Sequence, residues 1–250
     1  MPRQKLGQHF LIRGAALERI AAAACPAREE LVLEIGAGRG ALTEKLLKRA
    51  ERVVAIELDP YLAEHLRRKF AGAALEVVEG DALEVDLASF GRAPIAGNLP
   101  YAVASPIVEK TVRLAPPRAV FLVQKEMALR LAAAPGSRDY GFLTVETALF
   151  AGARMLFDVP PAAFYPPPKV DSAVVLLEPR TPLVADPDAF LAFVAQCFRH
   201  KRKTVRNNLA PIYGKELIGG WSEAGLRAEQ LSLSQFLEMY GRLLDHEAVE

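Results

Sequence analysis

The segment "LEIGAGRGAL" (residues 33–42) decides the fold. An apolar strand pattern, "LVLEIG" at 31–36, runs into a loop with three glycines, and a helical pattern follows at 41–50. Glycine allows a tight turn and lets a ligand approach the backbone, and the start of a helix offers free N–H groups at the positive end of its dipole. A strand, a glycine loop and a helix in this order predict a ligand site at the carboxyl end of a buried strand.

Strand and helix patterns continue to alternate along the chain. Strands are predicted at 52–58, 75–80, 93–98 and 119–124, and helices at 60–70, 105–114, 125–134 and 141–150. This rhythm predicts an α/β fold with a mostly parallel sheet covered on both faces. The last two strand patterns, 153–159 and 172–179, leave no room for a helix between them, so we expect them to pair antiparallel at one edge.

A proline-rich segment, residues 179–188, separates this region from the rest of the chain. Beyond it, apolar residues follow helical spacing only. We therefore expect two domains. Residues 1–180 hold the sheet and the ligand site, and residues 181–250 form a small all-α domain.

Composition excludes several classes of protein. The chain of 250 residues has a net charge of +1 and two cysteines, Cys25 and Cys197, in no metal-binding spacing. This argues against a disulfide scaffold and a structural zinc site, and indicates a reducing, cytoplasmic setting. No apolar run reaches the ~18 residues that a membrane span needs. We therefore expect no metal and no membrane partner.

Basic residues are concentrated in two places. Within residues 1–28, five basic residues face a single acid, Glu18. These five are Arg3, Lys5, Arg13, Arg19 and Arg28. The run "RHKRKTVR" contains five more and no acid, namely Arg199, Lys201, Arg202, Lys203 and Arg206. Local patches of this kind favour a nucleic-acid partner whose phosphates they contact, although a solvated helix face is the alternative for the second run.

Polar side chains follow three of the predicted strands. Glu57 ends the second strand, Asp81 follows the third and Asn98 ends the fourth. A carboxylate at Glu57 suits the two hydroxyls of a ribose, and Asp81 can accept from an adenine amine, while helix capping is the alternative for each. With Gly36 they predict an adenosine-bearing cofactor, and the glycine spacing fits NAD as well as other such cofactors.

The stretch "GNLPY" (97–101) predicts a second part of the site. Asn98 offers a side-chain carbonyl, and Leu99, held extended before a proline, keeps its backbone carbonyl free. Two such acceptors suit an –NH₂ group, and Tyr101 adds a flat face for an aromatic base. Phe164, in the proline-rich "FYPPPKVDS" (164–172), is a candidate for the other face. Together they predict a pocket for an adenine exocyclic amine, with a tight structural turn as the alternative.

Several motifs occur in the same order in one known family. They are "GQHFL" (7–11), "EIGAGRGALT" (34–43), "AIELD" (55–59), "GDAL" (80–83), "GNLPY", "PGSRDYG" (135–141), "FYPPPKVDS" and "RHKRKTVRNNL" (199–209). From about residue 4 to residue 209 the chain resembles the KsgA-type dimethyladenosine transferases. The resemblance implies a class I methyltransferase (Rossmann-like) fold with a helical, RNA-binding C-terminal domain.

The same resemblance implies an activity and a set of site residues. The activity is transfer of four methyl groups from S-adenosylmethionine to two adjacent adenosines near the 3′ end of 16S rRNA, by a monomer acting on the 30S subunit or its precursor. The cofactor positions are His9, Leu11, Gly36, Glu57, Asp81 and Asn98, and the positions that hold the base are Asn98, Tyr101 and Phe164. Many family members carry asparagine where this chain has His9.

Three other functions fit parts of the sequence. A 23S rRNA methyltransferase of the macrolide-resistance type shares the core motifs, and "RKTVRNNL" argues against it. An NAD oxidoreductase fits the glycines and leaves "NLPY" without a function. A non-enzymatic ribosome-assembly or transcription factor on the same fold is disfavoured because the pocket residues are intact.

Overall fold

A computed structural model describes residues 9–247 of the chain. Arg3 and Lys5 of the predicted basic patch, and the first two residues of "GQHFL", lie outside the described residues. The chain packs as two compact units. The first contains the described chain up to Ala128 together with Ala151–Pro179, and the second contains Leu129–Phe150 and the described residues from Arg180 onward.

The first unit is an α/β fold, as the sequence predicts. Its strands are β1 (Phe10–Leu11), β2 (Glu29–Ile35), β3 (Ala50–Glu57), β4 (Leu75–Glu79), β5 (Ile95–Asn98), β6 (Ala119–Gln124), β7 (Ala151–Val159), β8 (Phe164–Tyr165) and β9 (Ser172–Pro179). Its helices are α1 (Gly14–Ala24), α2 (Thr43–Leu46), α3 (Pro60–Lys69) and α4 (Ala104–Leu114), and α5 (Lys125–Leu131) begins in it.

Seven of these strands form one sheet in the order β4-β3-β2-β5-β6-β9-β7. Pairing is parallel from β4 to β6, and β9 pairs antiparallel with both β6 and β7. This confirms the mostly parallel sheet and the antiparallel edge expected from the last two strand patterns. The direction of the strand order changes at β2, between β3 and β5, and an open parallel sheet binds ligands beyond the carboxyl ends of strands at such a point.

Local chemistry explains why the strands end where the site begins. At the end of β3, Asp59 caps α3 by accepting from the N–H of Tyr61 at 2.9 Å, and Pro60 begins the helix. In β5, a Cβ on Gly97 would lie 2.4 Å from the carbonyl oxygen of Ile35 in β2. Only glycine therefore allows β5 to approach β2 this closely just before Asn98.

The helix predicted at 41–50 is much shorter in the structure. Only Thr43–Leu46 is helical, tight turns continue to Arg49, and β3 begins at Ala50. A single helical turn carries little of the dipole on which the sequence argument relied. The prediction of a helix dipole behind the glycine loop is therefore wrong. The N–H groups of the three loop glycines donate instead to the Ile56 carbonyl, to the Glu57 carboxylate and to the Ala37 carbonyl.

The second unit is built of helices. They are α6 (Phe142–Phe150), α7 (Pro187–Phe198), α8 (Val205–Tyr213), α9 (Lys215–Gly219) and α10 (Leu233–Glu247). It starts earlier than the division at residue 180 implied, because α6 packs against α7 and α10. The Tyr140 hydroxyl also donates to the Leu231 carbonyl at 2.6 Å. Among the residues described, no helix has the length and apolar character to cross a membrane.

Candidate active site

A pocket opens at the carboxyl ends of β2, β3 and β5. It lies wholly within the first unit. Seven of the predicted site residues line it, namely His9, Leu11, Gly36, Glu57, Asn98, Leu99 and Tyr101. Residues far apart in the sequence therefore meet where the strand order predicts a ligand.

The glycine loop forms the floor of this pocket in a backbone shape that favours glycine. Gly36 and Gly38 have φ values of +73° and +57°. A Cβ on Gly38 would lie 3.1 Å from the ring of Phe10, and one on Gly36 would lie 3.3 Å from the Asn98 carbonyl oxygen. Glycine here keeps the loop in contact with β1 and β5 and leaves the space above it open to a ligand.

Glu57 is held by the backbone on both carboxylate oxygens. Gly38 N–H donates to Oε2 at 2.7 Å, and Asp59 N–H donates to Oε1 at 3.0 Å. The side chain is 4% exposed, and burial raises the pKa of Glu57 while the bonds from Asp59 and Gly38 oppose that rise. Each oxygen has a further lone pair, so the carboxylate can accept from two adjacent hydroxyls.

Glu34 is a pocket residue that the sequence argument missed. Its carboxylate accepts from the Thr43 hydroxyl at 2.5 Å and is 1% exposed. Burial raises the pKa of Glu34 to about 7, and the nearby charge of Glu57 adds to this rise. The available signal was a carboxylate within the apolar run "LVLEIG", because a charge is costly to bury unless it has a function or a partner.

Asn98 is oriented by a contact that fixes which end of its amide faces the pocket. Its Nδ2 donates to the backbone carbonyl of His9 at 3.0 Å. Only the NH₂ end can pair with a carbonyl, so Oδ1 remains as an acceptor at the pocket. Leu99 N–H donates to the Leu122 carbonyl at 3.1 Å, which ties the next residue to β6. Within the described part of the chain, no N–H donates to the Leu99 carbonyl.

Tyr101 is held by a buried serine. Its hydroxyl hydrogen-bonds to the hydroxyl of Ser172 at 2.6 Å, and its ring lies 5.9 Å from the His9 ring at an interplanar angle of 31°. Burial raises the pKa of Tyr101, so the phenol stays neutral. Sequence reasoning missed Ser172, although it ends the quoted motif "FYPPPKVDS".

His9 lines the pocket, and both its backbone carbonyl and its ring form hydrogen bonds. Nδ1 donates to the Pro166 carbonyl at 2.8 Å, which leaves Nε2 as an acceptor when the ring is neutral. Leu11, 3% exposed, follows in β1. The ribbon of β1 and β8 thus brings the "GQHFL" and "FYPPPKVDS" motifs together.

Phe164 lies in the hydrophobic core of the first unit. It pairs with Leu11 across the ribbon, is 3% exposed and packs in the hydrophobic core with Val159 and Ala163. Successive side chains of a strand point to opposite faces, so the core-facing position of Phe164 leaves Tyr165, 64% exposed, on the outer face. The structure shows the Phe164 ring in the core, and its contact with a splayed base stays a prediction.

Asp81 follows β4 as predicted and does not line the pocket. Its Oδ1 accepts from the N–H of Leu83 at 2.9 Å, and its carbonyl accepts from Val85 N–H at 2.8 Å. The residue thus begins a tight turn. Across the described residues, His, Cys, Asp and Glu side chains form no group of three or more that could hold a metal ion.

The second unit presents the basic run as a turn between two helices. α7 ends at Phe198, α8 begins at Val205, and the five predicted basic side chains are all exposed. Asn208, 4% exposed, locks the turn by donating to the Cys197 carbonyl at 2.9 Å and accepting from His200 N–H at 3.2 Å. None of the five cations forms an ion pair among the described residues, so their charges are free for a partner.

The chain is similar to known proteins over nearly its whole length. Residues 2–243 match the family described as ribosomal RNA adenine dimethylase. The ribosomal RNA small subunit methyltransferase A of Acidobacterium capsulatum is 44% identical over 259 residues, which cover 97% of this chain and 92% of that protein. A crystal structure of a dimethyladenosine transferase from Plasmodium falciparum has a TM-score of 0.82 and 29% identity, covering 95% of this chain and 98% of its own. The crystal structure of the 23S rRNA methyltransferase ErmE has a TM-score of 0.71 and 29% identity, and the match covers 94% of this chain and 99% of the ErmE chain.

Proposed function

The chain belongs to the ribosomal RNA adenine dimethylase family, and from that premise we propose that it dimethylates the N6 amines of two adjacent adenosines near the 3′ end of small-subunit rRNA, using S-adenosylmethionine. The observation that carries the proposal is the orientation of Asn98. Its amide donates to the His9 carbonyl, so its oxygen and the free carbonyl of Leu99 are two acceptors at the end of β5. They lie at the rim of a pocket whose floor suits an adenosine-bearing cofactor.

The residues present fit S-adenosylmethionine. Glu57 offers two lone pairs to the ribose hydroxyls, the glycine loop leaves the floor clear, and His9 with Leu11 closes the end at β1. Asp81 is not among the residues that line the pocket, and we propose that its second carboxylate oxygen accepts from the adenine amine when the cofactor binds, the role that the family resemblance implies for this position. When bound, this cofactor supplies a methyl group already activated on a sulfonium, so the protein needs no nucleophile of its own.

Asn98 and Leu99 act on the substrate amine. The lone pair of an adenine exocyclic amine is delocalised into the ring, which makes the nitrogen a poor nucleophile. Two acceptors that bind both N–H groups favour a pyramidal nitrogen with an available lone pair, and this is the form it takes in the transition state. Tyr101, fixed through Ser172, offers a flat face on which the base stacks once it has left its helix.

The exposed basic run of the second unit is proposed to hold rRNA phosphates. Neutralising two of its residues, as in Lys201→Gln with Lys203→Gln, should lower the log–log salt slope of RNA binding by about one for each phosphate that is no longer neutralised. Lys215→Gln, an exposed lysine of the same unit outside the run, is the matched control and should leave the slope unchanged. An unchanged slope and affinity in the double variant would favour a solvated surface instead.

Large-subunit rRNA is the second candidate substrate, because the ErmE structure is similar over 94% of this chain. We propose that the substrate is small-subunit rRNA, because the relatives are named ribosomal RNA small subunit methyltransferase A. We propose further that the enzyme acts as a monomer on the 30S particle or its precursor. Methyl transfer from labelled S-adenosylmethionine to unmethylated small-subunit and large-subunit RNA, compared side by side, separates the two. Label in the small-subunit RNA alone is the expected result.

A further inference from the structure

Lys110, in α4, makes three hydrogen bonds to one short turn. Its Nζ donates to the backbone carbonyls of Ala82 at 3.0 Å, Leu83 at 2.8 Å and Val85 at 2.6 Å. The side chain is half-buried. All of these residues belong to the first unit.

Three carbonyl oxygens that converge on one point repel each other unless a cation lies between them. A lysine ammonium has three donors and a compact positive charge, so it satisfies the three oxygens together. Lys110 has no carboxylate partner among the residues that the structure describes. Its positive charge therefore stabilises the turn, and a residue of α4 holds the turn in this conformation.

The same turn carries Asp81. Asp81 Oδ1 accepts from Leu83 N–H at 2.9 Å, and its backbone carbonyl accepts from Glu84 N–H and Val85 N–H. Within the turn, a Cβ on Gly80 would lie only 3.0 Å from a methyl group of Val85. With one oxygen committed to the turn, the direction of the other carboxylate oxygen depends on how the turn is held.

We propose that Lys110 is a positioning residue that fixes the Asp81 turn, so that the free carboxylate oxygen accepts from the adenine amine of the cofactor. This inference rests on the proposed function, in which Asp81 binds that amine. Lys110 acts through Asp81 without touching the cofactor, and it makes the pocket selective for adenine over a purine without the amine.

The test uses the full chain and two non-reactive ligands, S-adenosylhomocysteine and its deaminated inosine form. Lys110→Met keeps the length of the side chain and removes the ammonium, and Lys48→Met, at an exposed lysine of the same unit, is the matched control. By calorimetry, Lys110→Met should bind the adenosine ligand about tenfold more weakly and the inosine ligand as the wild type does, which lowers the selectivity about tenfold. In an Asp81→Ala background the same change should cost no further affinity, because residues that act as a unit are not additive.

Each outcome decides between the inference and its premise. If Asp81→Ala alone binds both ligands as the wild type does, the proposed function of Asp81 fails. If Asp81→Ala weakens binding and Lys110→Met does not, the inference is overturned and the proposed function stands. Equal losses for both ligands, or the same loss with and without Asp81, also overturn it. If Lys110→Met does not fold, Lys110→Arg decides by the same comparisons, since its planar donors cannot converge on three carbonyls and a smaller loss of selectivity is expected.

Discussion

Replacing Asn98 with alanine removes one of the two acceptors proposed for the target amine. The Leu99 carbonyl remains, so methyl transfer should slow without vanishing. By analogy with the loss of one oxyanion-hole donor, we expect a decrease of about 10²–10³-fold, or about 2.7–4 kcal/mol of barrier. The change also removes the bond from Nδ2 to the His9 carbonyl, which should lower the free energy of unfolding by only about 0.5–1.5 kcal/mol. The variant should therefore fold.

The assay is single-turnover methyl transfer to unmethylated small subunits at saturating S-adenosylmethionine, with cofactor affinity measured in parallel. Asn98→Asp is the matched variant. It keeps an acceptor of the same size and loses the donor to His9, so a carboxylate oxygen faces a carbonyl and the side chain loses its orientation. We expect it to be slower than the wild type as well. If folded Asn98→Ala transfers methyl groups at the wild-type rate, β5 ends in this way for structural reasons alone and the reasoning is refuted.

Three further predictions concern the same pocket. Glu57→Ala should weaken S-adenosylmethionine binding by about 1.5–3 kcal/mol, the scale of hydrogen bonds to a charged group, as measured by calorimetry. Tyr101→Ala removes a stacking face worth about 1–3 kcal/mol per base and should impair methyl transfer with little effect on cofactor affinity, whereas Tyr101→Phe should keep most activity. For Glu34, the folded pKa of about 7 lies above its ordinary value of 4.5, so the unfolded state loses its proton first as the pH rises. The free energy of unfolding of the cofactor-free protein should therefore fall between about pH 4.5 and 7, by up to about 3 kcal/mol, and Glu34→Gln should abolish that fall in urea titrations.

Each of these three predictions has a result that would contradict it. Unchanged affinity for S-adenosylmethionine in folded Glu57→Ala would show that Glu57 does not bind the ribose. An inactive Tyr101→Phe would mean that the hydroxyl, with its bond to Ser172, matters more than the flat face. Identical pH dependence in Glu34→Gln and the wild type would show that another group titrates in that range.

The sheet followed from local patterns because strands such as β6 and β9 are nearly continuous apolar runs. The predicted strands at 119–124 and 172–179 agree with β6 and β9 to the residue. The polar groups at strand ends were found for a related reason, since parallel strands bring their carboxyl ends to one edge. Glu57 and Asn98, forty-one positions apart in the sequence, line the same pocket.

What local patterns left undetermined depends on pairing between distant segments. β1 and β8 are two residues each, too short for a periodic signal, and their register turns Phe164 into the core. A one-residue shift would have reversed that orientation. The orientation of Asn98 likewise depends on the His9 carbonyl, 89 positions away, and that of Tyr101 on Ser172, 71 positions away.

The most direct test of the whole account is to incubate the protein with S-adenosylmethionine and unmethylated 30S subunits and to map the modified bases by mass spectrometry. The account predicts N6,N6-dimethyladenosine at two adjacent positions near the 3′ end of the small-subunit rRNA, four methyl groups in all, and their loss in the Asn98→Ala variant at short times. Methyl groups on other bases or other atoms, or label only in large-subunit rRNA, would contradict it.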